Sequence, residues 1–387
     1  MRALVLDAEK CTAFVSDVNR PKPAPGEILI RVQAVALNPV DSLYIYNPLG
    51  GTGRIVGSDF AGTVLETGVD VPSSKIATND RVAGFVQGAS SANDRPGAFT
   101  EYVAIPWDLA WKVASEMTLE QAATISLCGL TAAQALFYRL GLPSPFPWAH
   151  QVAERPSTAR SGPTRILIYG ASTSVGLYAA QLVHKLRQST EVDISLIGAA
   201  SAKHFEMLKG SPYSYDQLFD YRDNDWADQV RSLCRNQGLE FAYDCISEGD
   251  TVSKISNLMR PDGKLAVVRS REGGAWVADE HMSIEPSYGA VWGGLGEDVE
   301  YKGMHLPSNP NARAFAVAFY QWLSTTAGLQ PNRVRLMPGG LERIVPDAFQ
   351  LLGSGSMHDR NMVRTEAYMR PVSAEKLVYK ITEELDT

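Results

Sequence analysis

The stretch Arg165-Ile-Leu-Ile-Tyr-Gly-Ala-Ser-Thr-Ser-Val-Gly-Leu-Tyr-Ala-Ala-Gln-Leu-Val183 narrows the possible folds more than any other part of the chain. A mostly apolar, β-prone run meets a glycine-bearing turn, and the turn opens a segment with helical spacing of its apolar residues. Strand, tight turn and helix in that order are the unit from which parallel sheets are wound. The N-terminus of such a helix presents unpaired amides and the positive end of its dipole, a setting that suits a phosphate. In a dinucleotide-binding turn the first glycine allows the bend, the second lets the backbone approach the pyrophosphate, and the third lets helix and strand pack closely. Here Gly170 and Gly176 fill the outer places, while Ser172, Thr173 and Ser174 occupy the interior. Their hydroxyls are expected to replace part of the backbone contact with phosphate. The same residues also fit a plain connection between a strand and a helix.

The texture of the chain on either side agrees with a two-part molecule. Before this unit, Glu27–Val35, Phe60–Leu65, Asp80–Val86 and Glu101–Ile105 read as short strands broken by Gly, Pro and Asn, which predicts a mostly antiparallel β domain. From Thr131 onward, helices separate buried strands at Arg165–Tyr169, Asp193–Ile197, Phe219–Asp220, Phe241–Ile246 and Lys264–Val268. That alternation predicts a doubly wound parallel sheet. The Pro- and Ser-rich residues 142–163 read as a surface loop. An amphipathic helix at Ala312–Leu323 and a last strand at Lys376–Ile381 follow, the strand returning to the first domain. At 387 residues two cores are expected.

Composition excludes several classes. Lys plus Arg number 36 against 43 Asp plus Glu, a net charge of -7 with no basic run, so a nucleic-acid partner is not expected. No signal peptide is expected from Met1–Asp7, and no apolar stretch of about 18 residues follows, so the expectation is a cytoplasmic protein away from membranes. Cys11, Cys128, Cys234 and Cys245 show no paired spacing, and the histidines form no HExxH pair, so neither disulfides nor a metal site is expected.

An NAD site places an acidic residue near the end of the second strand to receive the ribose hydroxyls. This chain reads Ile197-Gly-Ala-Ala-Ser-Ala-Lys-His204 there. Ser201, Lys203 and His204 offer donors and positive charge with no carboxylate, which favours the 2'-phosphate of NADPH. Tyr221 is a candidate to flank the adenosine, or a core residue. Lys203 also fits a solvated helix start.

Several motifs occur in order: Asn38-Pro-Val-Asp41, Gly57-Ser-Asp-Phe-Ala-Gly62, Asp80-Arg-Val82, Gly97-Ala-Phe-Thr-Glu-Tyr102, Gly129-Leu-Thr131, the Gly170 turn, Asp244-Cys-Ile246 and Glu375-Lys-Leu-Val-Tyr379. Together they resemble the medium-chain dehydrogenase/reductase superfamily over nearly the whole chain. Leu142-Pro-Ser-Pro, Ile168-Tyr-Gly170, Phe219-Asp-Tyr221, Asp244-Cys-Ile246 and Met337-Pro-Gly-Gly-Leu341 are most similar to the trans-acting enoyl reductases that serve fungal polyketide synthases.

The resemblance implies an α/β chain with a GroES-like, mainly β catalytic domain at 1–130, completed by 308–387, and a Rossmann NADPH-binding domain at 131–307. It implies a zinc-independent enzyme of secondary metabolism, because the stretches matching Leu37–Asp41, Gly57–Asp59 and 88–108 lack the Cys and His ligands of zinc-dependent relatives. The cofactor contacts implied are Val40, Asp41, Ser42 and Leu43; Gly170, Ser172, Thr173, Ser174, Val175 and Gly176; Ser201, Ala202, Lys203 and His204; Tyr221; and Val372 with Ser373. The substrate channel implied is lined by Thr131, Ala132, Ala133, Gln134, Ala135, Leu136, Phe137 and Tyr138, and by Ser287, Tyr288, Gly289, Ala290 and Val291. Relatives often carry Lys where this chain has Leu43, so no role of that lysine transfers. Met357–Arg364 is a second local departure.

The reaction implied is reduction of a conjugated thioester on the carrier domain of a polyketide synthase or hybrid polyketide-peptide synthetase. Thr131 is the implied catalytic hydroxyl, and Thr131-Ala-Ala-Gln134 equally fits a capping box that opens the helix ending at Gly141. Tyr44 and Tyr46 are candidate proton donors or packing residues, with water the expected source. Asp59 and Arg81 are expected to fix a turn as an ion pair or to be solvated. A free quinone or enone oxidoreductase and a non-catalytic NADPH-binding partner stay open as alternatives, as do monomer and dimer.

Overall fold

The computed structural model describes the chain except for residues 91–92, 150–161, 191, 302–303, 327, 361–363 and 382–387. Two compact units emerge, one of 1–127 with 292–387 and one of 128–291. Part of the expected surface loop at 142–163 and of the 357–364 segment lies outside the described residues.

In the first unit, β1 (Arg2–Asp7) and β2 (Thr12–Asp17) form a two-stranded antiparallel sheet that the sequence reading did not anticipate. Next come β3 (Glu27–Ala36), β4 (Asp59–Thr67), β5 (Arg81–Phe85), β6 (Tyr102–Pro106) and β7 (Ala110–Lys112). The second unit contributes β8 (Thr164–Tyr169), β9 (Ile194–Ala200), β10 (Gln217–Asp220), β11 (Leu239–Asp244), β12 (Met259–Val267) and β13 (Ser287–Tyr288). The chain then adds β14 (Val299–Tyr301), β15 (Met304–Leu306), β16 (Val334–Leu336) and β17 (Lys376–Lys380) to the first unit.

The main sheet of the first unit runs β16-β17-β3-β4-β5-β7, with β6 also paired to β3. Strand β3 is its spine because Ile28, Leu29, Ile30, Val32, Val35 and Ala36 leave both faces apolar and nearly unexposed. The last strand does return here, with Val378 opposite Ala36 and Tyr379 opposite Val35 in antiparallel register. Helix Pro310–Thr325 buries Phe315, Ala316, Phe319, Tyr320 and Leu323, and Asn309 caps it by accepting from the Asn311 and Ala312 amides at 3.0 Å. Residues 292–307, expected with the cofactor domain, group with the first unit. Trp292 sits 5.8 Å from Phe85 and 6.3 Å from Tyr44 between ring centroids.

In the second unit the six strands run β10-β9-β8-β11-β12-β13, all parallel. Counted along the unit, this is the order third, second, first, fourth, fifth, sixth, and the direction of winding reverses between β8 and β11. Ligands of open parallel sheets bind beyond the strand ends at such a reversal. No helix among the described residues is long and apolar enough to cross a membrane.

Candidate active site

The reversal point is built where β8 passes through the Gly170 turn into helix Ser174–Ser189. Gly170 follows β8 with φ +75°, and a Cβ at Gly176 would stand 2.4 Å from the Gly170 carbonyl oxygen, so any side chain there would force the helix off the turn. Thr173 caps helix Ser174–Ser189. Its hydroxyl accepts from the Gly176 amide at 3.0 Å and donates to the Gly170 carbonyl at 2.8 Å. The Thr173 hydroxyl therefore shapes the turn, whereas the Ser172 and Ser174 hydroxyls make no hydrogen bond among the described residues. Ser172, Ser174 and Val175 are half-buried, and the Ser174 and Val175 amides belong to the first helical turn, where no intrahelical acceptor exists. The Gly170 and Ala171 amides both donate to Ala199 O at 3.0 Å, fastening the turn to the end of β9.

At the ends of β9 and β10 the structure gathers more than the sequence suggested. Lys203 is exposed with no ion-pair partner among the described residues, Ala202 is exposed and His204 half-buried. Ser201 is buried, and its hydroxyl accepts from Arg222. Arg222 was overlooked, although it follows Tyr221 directly and its guanidinium lies 5.6 Å from that ring centroid. A carboxylate is present after all: Asp220 accepts from the Ala202 amide at 2.9 Å and the Arg222 amide at 3.0 Å. Those hydrogen bonds, together with the Arg222 charge, outweigh desolvation and hold its pKa below the usual range. Tyr221 is no core residue, being 42% exposed, and its ring meets Tyr169 edge-on at 6.2 Å.

Beyond β11, Asp244 is fully buried and accepts from the Ile246 and Ser247 amides at 2.9 and 2.8 Å and from the Thr251 hydroxyl at 2.7 Å. Desolvation pushes its pKa up, and these donors oppose the shift. Its work is to fix the loop across from the glycine turn, where Ile246 packs so near Gly170 that a Cβ would meet it at 2.9 Å.

The segments expected to line a substrate channel are joined within the second unit. Gln134 donates to Val291 O at 3.4 Å, and Arg139 Nη1 donates to Gly289 O at 3.2 Å. Thr131 to Phe137 are buried, with Thr131 at 7% exposure, while Tyr138, Tyr288, Gly289 and Ala290 are half-buried and Ser287 is exposed. The capping-box reading of Thr131 is overturned. The helix spans Ser126–Ala133 and continues as a π-helical turn over Gln134–Arg139, so Thr131 lies inside it. The first turn is capped from a distance, Leu127 N donating to Asp59 Oδ1 at 2.9 Å.

Asp59 is likewise neither solvated nor paired with Arg81. It is fully buried and bonds Lys376 Nζ at 2.5 Å and Asn38 Nδ2 at 3.0 Å, whereas Arg81 donates to the carbonyls of Ala114, Ser115 and Met117. Next to it Asp41 accepts from the Asn38 amide at 2.7 Å and the Ser58 hydroxyl at 2.6 Å, closing a capping box on helix Pro39–Tyr46. Burial pushes the Asp41 carboxyl up to about 7, with the Asp59 charge adding to the rise. Asp41 and Ser42 are thus engaged by their own turn, Leu43 is buried, and Val40 is half-buried. Tyr44 is buried with its hydroxyl accepting from Gln87 at 3.3 Å. Val372 packs on the core of this unit, and Ser373 is half-buried. Among the described residues no group of three or more His, Cys, Asp or Glu is placed to hold a metal.

Comparison with known proteins matches residues 24–115 to the Alcohol dehydrogenase GroES-like domain. The trans-enoyl reductase caaB of Aspergillus niger is 30% identical, covering 98% of this chain and 96% of that protein. The uncharacterized protein YCR102C of Saccharomyces cerevisiae is 31% identical over 84% of this chain and 88% of its own. The crystal structure of an alcohol dehydrogenase superfamily protein from Novosphingobium aromaticivorans shares the fold, with a TM-score of 0.71 at 18% identity, covering 99% of this chain and 100% of that one. The ordered motifs, the strand order of the second unit and this near full-length kinship make the chain a member of the medium-chain dehydrogenase/reductase family, in the branch that holds the fungal trans-enoyl reductases.

Proposed function

We propose that the protein is an NADPH-dependent, trans-acting enoyl reductase that reduces the α,β-double bond of a polyketide intermediate held on the carrier domain of a polyketide synthase or hybrid polyketide-peptide synthetase. The observation that carries this reading is the turn at the winding reversal of the parallel sheet, in a chain akin over nearly its full length to a trans-enoyl reductase. The residues fit a dinucleotide. The Gly170–Gly176 turn keeps side chains out of its crook, and the half-buried Ser174 and Val175 amides suit a pyrophosphate. The Lys203 and Arg222 cations beside Ser201 suit a 2'-phosphate, which favours NADPH over NADH.

When bound, the reduced nicotinamide supplies the hydride that the β-carbon needs. In this reading the chain's own work is to hold and polarise. Ser172 and Ser174 add hydroxyl contacts to the phosphates, and Tyr221 flanks the adenosine. Thr131 donates to the thioester oxygen as negative charge builds there. Residues 131–138 and 287–291 shape the acyl channel, and water protonates the α-carbon.

The test is NADPH oxidation measured with an enoyl thioester of pantetheine and, separately, with a simple quinone. Faster turnover of the thioester supports the reading. Faster turnover of the quinone replaces it with a free quinone oxidoreductase, and NADPH binding without oxidation of either replaces it with a non-catalytic binding protein.

A further inference from the structure

Arg139 is half-buried as a residue, yet two of its guanidinium nitrogens are fully enclosed. Its Nη1 donates to Gly289 O at 3.2 Å, but Nε and Nη2 are buried without a hydrogen-bond partner among the described residues. These two nitrogens form one edge of the guanidinium, the edge whose parallel N–H groups match a carboxylate or phosphate two-to-two. Among the described residues no acidic side chain is paired with it. The groups that act on its charge are the phenols of Tyr243 and Tyr288, and burial lowers its pKa. The Tyr243 hydroxyl is itself buried and without a hydrogen-bond partner among the described residues. Leaving a charged edge and a phenol buried without acceptors is costly, and structures retain such groups where something else compensates.

The surroundings say where the acceptor comes from. Tyr243 is the penultimate residue of β11 and Tyr288 ends β13, so both stand at the strand ends on which parallel sheets receive ligands. Arg139 closes the π-helical turn Gln134–Arg139, an irregularity often found at functional sites. Gly289 lies so close to the arginine that a Cβ there would stand 2.9 Å from Nη1. The backbone at 287–291 thus rests on the arginine.

Building on the proposed enoyl reductase role, we propose that Arg139 and Tyr243 form a receptor for an oxyanion carried by the substrate, opened when residues 287–291 lift from Arg139. Two sources carry that chemistry: the phosphate of a pantetheine arm and a carboxylate on the acyl chain.

The experiment titrates NADPH-saturated protein with 4'-phosphopantetheine, with dephosphorylated pantetheine and with hexanoate, and reads binding by calorimetry. It is repeated on cofactor-free protein, so that failure to take up NADPH, which would defeat the enoyl reductase reading, is seen separately. Binding of phosphopantetheine but not pantetheine assigns the phosphate, and binding of hexanoate assigns a carboxylate. In either case Arg139→Met and Tyr243→Phe should weaken the effective probe by at least about tenfold, a loss of about 1.4 kcal/mol, while NADPH affinity stays unchanged. Arg139→Met should also raise the melting temperature, since it removes an uncompensated buried charge. If no probe binds the wild-type protein, or the probes bind both variants as well as wild type, the proposal is overturned. A fall in melting temperature for Arg139→Met with probe binding intact likewise overturns it and leaves Arg139 a structural latch on Gly289.

Discussion

Replacing Lys376 by Met tests the account of the first unit most severely. Lys376 and Asp59 are 317 residues apart in sequence, are 3% and 0% exposed as side chains, and meet at 2.5 Å. Methionine keeps most of the lysine's length and apolar stem but leaves the Asp59 carboxylate, among the described residues, with the Asn38 amide group and the Leu127 N–H as donors. Breaking a buried pair by removing one partner costs about 3–5 kcal/mol. For a domain of this size each kcal/mol shifts the midpoint by about 2–4 °C, so a fall of about 6–20 °C is expected in a thermal melt. The double variant Asp59→Asn/Lys376→Met removes both charges and should recover most of that loss, a coupling that a double-mutant cycle reads directly. A single-variant shift below about 2 °C, or a double variant no better than the single, would refute the reasoning.

Other outcomes follow from the same geometry. Because burial raises the Asp41 carboxyl to about 7, the folded state holds its proton more tightly than the unfolded chain does. Its stabilising contribution is therefore complete below about pH 4 and is lost as pH rises toward 7. Asp41→Asn should gain on wild type in urea denaturation across that window and level off above it; a pH-independent difference would contradict the assignment. Lys203→Ala and Arg222→Ala should each weaken NADPH by roughly tenfold or more in fluorescence titrations while changing NADH little, and equal losses for both cofactors would reject the phosphate contact. Gly176→Val should abolish measurable NADPH binding because its Cβ would stand 2.4 Å from Gly170 O, and retained affinity would show that the turn adapts. Thr131→Val should lower kcat by about tenfold or more with KM nearly constant, and an unchanged kcat would remove the hydroxyl from the reaction.

The parts of this fold legible in the sequence were those written in local pattern. Apolar runs such as Ile166–Ile168 and Ile28–Ile30, and the helical spacing after Ser174, place strands and helices within a few residues of where they form. The glycine positions placed the turn. What local pattern could not give was any feature made by residues distant along the chain. Arg222 meets Ser201 because β9 and β10 are sheet neighbours, a contact that no spacing rule for a nucleotide motif contains. Thr131 had the sequence of a cap, yet Asp59 caps the helix a turn and a half earlier from 68 residues away. Asp59 itself gave no sign of burial, since its partner Lys376 arrives only with the last strand. For Arg222, the one signal at hand was a second cation directly after Tyr221, at the end of the strand that flanks the expected phosphate site.

The most direct measurement follows the hydrogen itself. NADPH carrying deuterium at C4 of the nicotinamide is incubated with the protein and an enoyl thioester of pantetheine in ordinary water, and the product is read by NMR. One deuterium at the β-carbon, with solvent hydrogen at the α-carbon and the thioester intact, is the predicted result. A saturated product without deuterium, reduction at the carbonyl instead, or no reduction while the protein holds NADPH would contradict it.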